Sequence, residues 1–338
     1  MVEKIRTVLM SRLFCVGKTG VAGLLLCVSC HPANDFTAAR SAWAQYRADK
    51  AAVAAPQGQE DPAALQQQVD KANDSLKQAI RCYEQAGAGA SRDPQVLREF
   101  AEMLSAAGEY DLSSETWRRL TDLKPDDACA WKELGRNLSA PGHFRAPEAL
   151  AALRRALQLS PDGDIHFLMS RVYRKEGLSD LAAEALEKAL ESEPSHWGAR
   201  LAMAALKIQT GRVRDGNADL EALGPPSPEY ADEYTDSIKE AVDRLLDARR
   251  IAPDTAEDAM AYAKVMLRAQ RLQDALEAAE RSARLAPDDE TVFNFIGDVA
   301  AQLGMNDRAR NAYARSLELK TDQPRTIERM QALEAPAK

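Results

Sequence analysis

"WKELGRNLSAPGHFRAPEALAALRRALQLSP", residues 131–161, holds two helical faces and the signal that ends them. Trp131, Leu134, Gly135 and Leu138 recur at three- and four-residue spacing, so they share one face of a first helix. Ala149, Leu153 and Ala156 do the same for a second, and Pro161, with no amide hydrogen, marks its end. The turn between them, "SAPGHFR" (139–145), carries two extra residues and is expected to protrude. The same pattern recurs on both sides. Upstream, Leu97, Phe100, Ala101 and Leu104 form a first face, Gly108 punctuates a turn, and Ser113, Trp117 and Leu120 form a second face. Downstream stand Met169, Ser170, Tyr173, Gly177, Ala182, Leu186, Ala189 and Pro194. Towards the C-terminus come Tyr262, Ala263, Met266, Ala275, Ala279 and Pro287, then Phe293, Ile296, Gly297, Gly304, Ala309 and Tyr313. Pro125, Pro161, Pro194, Pro228, Pro253 and Pro287 stand 36, 33, 34, 25 and 34 residues apart. A period near 34 is a repeat, not a coincidence of composition.

These residues resemble the tetratricopeptide repeat, whose pattern W-x2-L-G-x2-Y…A-x3-F-x2-A…P is almost complete in 131–161. The resemblance covers 94–321 and implies an all-α fold: an α-solenoid of antiparallel helix pairs, a superhelix, following an N-terminal signal segment. Small residues such as Gly135, Ala182 and Ala189 let paired helices approach, and Trp117 and Trp131 are expected in the core. The chain divides into a signal segment (1–29), a linker and helical pair (30–93), and a first repeat block (94–223). A Pro-rich break (224–228), a second block (229–321) and a C-terminal cap helix and tail (322–338) follow. Within 30–93, two helices are expected at 36–54 and 63–86. The unit after Pro194 is degenerate: Leu201, Ala204, Ala205 and Ile208 keep a face, but 214–228 is a weak second helix. A helix from about Glu229 to Ile251 is expected beyond the break.

The chain has 338 residues, 44 basic and 52 acidic, for a net charge of −8. Lys4, Arg6, Arg12 and Lys18 against Glu3 give residues 1–29 a charge of +3, so the remainder carries −8 − 3 = −11. Such a body argues against nucleic-acid binding, which needs a basic surface.

The N-terminus poses its own question. Arg12 and Lys18 precede a short apolar run ending in "LLLCVSCHPAND" (24–35), the layout of a secretory signal, with Met1 or Met10 as the start. Cys27, Cys30 and His31 match the c-type haem attachment form C-x-x-C-H. The same stretch resembles a bacterial lipoprotein signal, with Ser29 in the small slot before a lipidated Cys30 and Cys27 where Leu is usual. Cleavage before Cys30 removes Cys27, so the readings exclude each other. Lipidation is preferred, because the signal-like run abuts the motif and the repeats offer no evident haem pocket. His31 after the cysteine favours the outer membrane in the enterobacterial sorting pattern. Cys82 and Cys129 are expected as buried free thiols, with pairing in an oxidising compartment as the other option.

No catalytic constellation, cofactor motif or metal-ligand cluster stands out, and His143, His166 and His196 are scattered. In the family, first helices line a concave groove that holds peptides or extended segments of partners. The positions facing outward from those helices here are Arg98, Lys132, Arg136, Arg171, Arg174, Lys175, Lys264 and Arg268, interrupted by Glu102, Glu133 and Asp298. A groove for an acidic or other anionic chain is one reading. Helix-surface charge paired with nearby acids is the other. Lys132 matches one slot of the clamp that binds chaperone C-termini, but Arg136 stands where the clamp has Asn, so that activity is not inferred. The expectation is a non-enzymatic scaffold that binds proteins in a secretion, pilus, outer-membrane or exopolysaccharide assembly. It is exported and held by a lipid to the periplasmic side of the outer membrane. A haem protein, or a non-catalytic subunit of an envelope enzyme complex, is the alternative.

Overall fold

First helices begin where the sequence supplies a side-chain cap, and second helices stop just before the repeated prolines. In the computed structural model, residues 36–54, 62–226, 231–247 and 253–333 are described. Asp93, Asp127, Asp162, Thr255 and Asp289 each accept a hydrogen bond from an amide in the first turn of the following helix, at 2.9–3.1 Å. A cap of this kind satisfies an otherwise orphaned amide and is worth about 1 kcal/mol.

Sixteen helices and no strand are present among the described residues. Up to His196 they form one compact unit. Residues from Trp197 to Pro226 and from Glu233 onward form a second. The first unit holds four pairs: α1 (Thr37–Ala54) with α2 (Pro62–Gln85), α3 (Pro94–Ala106) with α4 (Tyr110–Leu123), α5 (Ala128–Leu138) with α6 (Ala146–Leu159), and α7 (Gly163–Lys175) with α8 (Ser179–Ser192). The second unit pairs α9 (Trp197–Gln209) with α10 (Val213–Leu223), α12 (Ala256–Arg268) with α13 (Leu272–Leu285), and α14 (Glu290–Gln302) with α15 (Asn306–Leu319). It also contains most of α11 (Ala231–Asp247) and the cap helix α16 (Pro324–Ala332). The α-solenoid of helix pairs is therefore the fold.

The pairs close by setting small residues against large ones. A Cβ added at Gly135 would lie 2.6 Å from Leu153 Cγ, so only glycine lets α5 meet α6 this closely. Gly297 plays the same part under the ring of Tyr313, whose hydroxyl donates to Asp298 at 2.8 Å. The degenerate unit is a regular helix pair that keeps Ala204 and Leu220, both buried, at the Gly135 and Leu153 positions. Gly216 on its second helix receives Ile208 of the first, and Leu201, Ala204, Ala205 and Ile208 are all buried. The helical pair ahead of the repeats joins α3 through an aromatic run. Phe36 lies 5.7 Å from Tyr83 and Tyr83 lies 6.3 Å from Phe100, centroid to centroid. Beside it the Tyr83 hydroxyl (2.7 Å) and Arg40 (3.1 Å) both donate to Glu99.

Three expectations need correction. Trp117 is fully buried, but Trp131 is only half-buried and donates its indole N–H to the Pro125 carbonyl at 3.0 Å. The pattern position has one ring edge at the surface. Cys82 and Cys129 are free thiols and neither is buried: Cys82 is half-buried, and Cys129 is exposed with Arg98 donating to its sulfur at 3.4 Å. The 139–145 turn does not simply protrude. Ser139, Ala140 and His143 are buried, and the Arg145 amide returns to the Leu138 carbonyl at 2.8 Å. The helix expected from Glu229 to Ile251 is described from Ala231 to Asp247, with Ile238, Ala241, Val242 and Leu245 in the core of the second unit. Cys27, Cys30, His31, both possible starts and Pro228 lie outside the described residues.

Candidate functional site

The groove expectation rests on eight cations, and the structure sorts them by what each one touches. Arg98 and Lys132 occupy the same repeat position, one residue after Leu97 and Trp131. Each reaches across to the capping aspartate of the next first helix. Arg98 pairs with Asp127, and its guanidinium lies 5.9 Å from the Trp117 ring centroid. Lys132 pairs with Asp162 at 2.9 Å and Asp164 at 3.5 Å. The partners sit 29 and 30 residues further along, a full repeat less the first turn. One repeat later the position holds Phe167, whose ring meets His196 at 4.8 Å, and His196 is also within 3.0 Å of Asp164. In the second unit it holds Asn294, which donates to Gln323 at 2.6 Å and accepts from Thr326 at 2.9 Å. In these four places the position is a junction between neighbouring repeats, filled twice by a cation on an aspartate, once by an aromatic contact and once by an amide.

Burial is the largest single influence on both Lys132 and Asp162 and disfavours their charges, but their mutual hydrogen bond, their Coulomb attraction and the contacts with Asp164 together outweigh it. The Lys132 ammonium is held above the usual lysine value. The Asp162 carboxyl is held below the usual carboxylate range, helped by the Asp164 amide. Both ions keep some contact with water, so their attraction is worth about 1 kcal/mol or less. Sequence reading named the cations and missed the acceptors. The available signal was the recurrence of Asp127 and Asp162 at a fixed distance from a basic residue.

One helical turn further along the first helices stand Glu102, Arg136 and Arg171 at equivalent positions of α3, α5 and α7. Arg136 is exposed and, among the described residues, pairs within its own helix, with Glu133 at 3.2 Å. Arg171 is exposed and has no hydrogen bond or ion pair among the described residues. A further turn on, Lys175 donates to the Ser139 carbonyl at 2.8 Å and sits 4.8 Å from the centre of the Phe144 ring. Arg174 is half-buried next to it and makes contacts of its own. Lys175 thus holds down the inserted turn, whose other anchor is His143 Nδ1 at 2.7 Å from Asp111. In the second unit, Lys264 pairs with Glu221 at 2.8 Å and Arg268 donates to the side-chain oxygen of Asn217. Of the eight cations, five are fastened to another element of the fold. Arg136 and Arg171 remain the exposed pair on adjacent first helices.

A polar seam lies behind this face and was not anticipated. Ser105 Oγ is 2.9 Å from the buried Asn137 side-chain oxygen and 2.7 Å from Ser113 Oγ, while Ser113 donates to the Ala101 carbonyl at 2.9 Å. It joins α3, α4 and α5 with its polar groups satisfied, as a buried network must be. Among the described residues no group of three or more His, Cys, Asp or Glu side chains is placed to hold a metal ion. No helix there is long and apolar enough to cross a membrane.

Capped first helices, glycine turns, small-on-large pairs and a proline after the second helix define a helix-pair repeat protein. Residues 163–196, one whole pair, match the tetratricopeptide-repeat family model, and the pairs around it share its construction: the chain is a tetratricopeptide-repeat protein. No curated protein matches the chain. Among solved structures it is similar to PilW, described as a widely conserved type IV pilus biogenesis factor. The identity is 16% over 76% of this chain and 97% of that one, with a TM-score of 0.43. It is similar also to YrrB, described as having an unusual peptide-binding site, at 14% identity over 74% and 97% of the two chains and a TM-score of 0.32. Yeast Tom70 shares 14% identity over 98% of this chain and 68% of its own, with a TM-score of 0.43. These superpositions are loose, and the family assignment rests on the repeat itself.

Proposed function

We propose that this protein is an exported, lipid-anchored scaffold that holds acidic segments of partner proteins on the first-helix face of its first unit. The observation that carries the reading is Arg171, exposed and without an ion-pair partner among the described residues, next in register to the exposed Arg136. In a body of charge −11, two such arginines on adjacent first helices are a local field of the opposite sign. Guanidinium groups bind carboxylates in a two-pronged geometry, which suits an extended acidic chain. The anchoring half of the reading rests on the signal-like run that ends at Cys30. The assembly served is of the secretion, pilus, outer-membrane or exopolysaccharide kind, on the periplasmic side of the outer membrane.

Two measurements test the two halves. The intact mass of the mature protein from its own host should show a diacylglyceryl group on Cys30 and no Cys27. A retained Cys27 carrying porphyrin overturns the anchor. Photo-crosslinking from a residue near Arg171 should trap a partner in the wild type and lose it in Arg136→Glu/Arg171→Glu, with far-UV circular dichroism unchanged. Equal trapping in both overturns the groove.

A further inference from the structure

The second unit carries a slot that the groove reading does not use. It lies between the second helices α13 and α15, with α14 as its floor, and encloses about 350 Å³. That is at the small end of the range of about 300–1,000 Å³ typical of ligand sites. The floor is apolar: Phe293 is half-buried, and Ile296 and Ala312 close it from below. Arg284, Arg308 and Arg315 form the rim, with Glu280 as the one carboxylate in the lining. Glu280 is taken by Arg308 and Glu318 by Arg315 at 2.9 Å, while Arg284 and Asn311 have no hydrogen bond or ion pair among the described residues. The Arg315 guanidinium also lies 5.9 Å from the Phe293 ring centroid, so one edge of the slot is both aromatic and cationic.

The repeat supplies its own comparison for the charge of this rim. At the positions equivalent to Glu280, Arg284, Arg308, Asn311 and Arg315, the α4/α6 junction has Arg118, Asp122, Glu148, Ala151 and Arg155, for a charge of 0. The α6/α8 junction has Arg154, Gln158, Leu181, Glu184 and Lys188, for a charge of +1. The α13/α15 slot carries +2 with Glu280 included, the most positive of the three, in a chain whose net charge is −8.

We propose that this slot docks an acidic protein segment bearing one bulky apolar side chain, the apolar group against Phe293 and the flanking carboxylates on Arg284 and Arg315. The charge of the rim selects the acidic class, and the Phe293 floor selects a single anchor rather than a uniform acidic tail. The slot lies in the second unit and stands or falls separately from the first-helix face of the first.

The probe is a fluorescein-labelled heptapeptide of Glu and Asp with one central Phe, titrated by anisotropy with the full-length mature protein. Arg284→Glu/Arg315→Glu should weaken binding at least tenfold, since both side chains are exposed and circular dichroism can confirm the fold. Replacing the central Phe by Ser should weaken it about tenfold as well. Arg310→Glu, an exposed arginine of α15 outside the slot lining, should leave it within twofold. Equal binding by the Arg284/Arg315 variant, or by the peptide without Phe, overturns the slot. Loss of binding in Arg171→Glu alone would place the peptide on the first-helix face, sinking the slot and leaving the groove reading intact.

Discussion

Lys132 shows how one side chain can resemble a ligand-binding residue and be something else. Its place on the first helix faces outward by periodicity, yet its ammonium is spent on Asp162 and Asp164 of the next repeat. Asp162→Asn keeps the helix cap and removes only the charge, so it isolates the ion pair. Because the Asp162 carboxyl is held below its ordinary value of about 3.9, its contribution is fully present above that pH. It is lost as the pH falls through the lower folded value. The lysine side is present below about pH 10.4 and lost only as the pH rises through its raised folded value. Urea denaturation should therefore show Asp162→Asn destabilised by about 1 kcal/mol or less at pH 7. The gap should close between pH 4 and pH 2. A gap that persists unchanged at pH 2 would mean that the cap, not the charge, is what the substitution disturbed.

At the scale of the element, the turns between first and second helices obey one rule with one exception. Gly108, Gly177, Gly211 and Gly304 take left-handed backbone angles there, and the equivalent turn between α12 and α13 places Gln270 at φ 61°. A side chain in that region clashes with its own backbone, at about 1–2 kcal/mol. Glycine relieves the clash but gives back part of the gain through a more flexible unfolded chain. Gln270→Gly should raise stability by up to about 1 kcal/mol, read as a higher thermal midpoint. A lower midpoint would show that the glutamine side chain contributes more than its backbone costs. The helices themselves were legible because alternating faces, proline ends and aspartate caps all recur with the same period. Even 36–54 and 63–86, which lack the repeat motif, were placed within a residue or so of Thr37–Ala54 and Pro62–Gln85. The second helix at Val213–Leu223 was underrated because Gly216 stands where the other repeats have Ser113, Ala149, Ala182, Ala275 and Ala309, and a glycine inside a helical pattern weakens it. The fate of the cations was not legible, since the partners of the fastened ones sit 29 to 51 residues away across a repeat boundary. Only the stacking of one pair on the next reveals that distance as a contact.

For the whole molecule, stability is a sum over pairs and their neighbours, so damage should stay local. Trp117 is the largest fully buried side chain, and Trp117→Ala should cost about 3–5 kcal/mol where it sits. Hydrogen exchange should show protection falling in α3 to α6 while α12 to α15 keep theirs. Uniform loss along the chain would mean that the two units unfold as one. The junctions between repeats carry a last consequence. They are built from an arginine on an aspartate, a lysine on two aspartates, a phenylalanine on a histidine, and an asparagine on a glutamine and a threonine. These four seams share a spacing, and only the first two share a chemistry, a cation on a carboxylate. Moving the helix pair that starts at Gly163 to the place of the one that starts at Ala128 would bring Phe167 against Asp162 and strand a carboxylate against an aromatic face. The array is thus written in an order: its modules are alike enough to stack and different enough that they cannot be shuffled without mismatched seams.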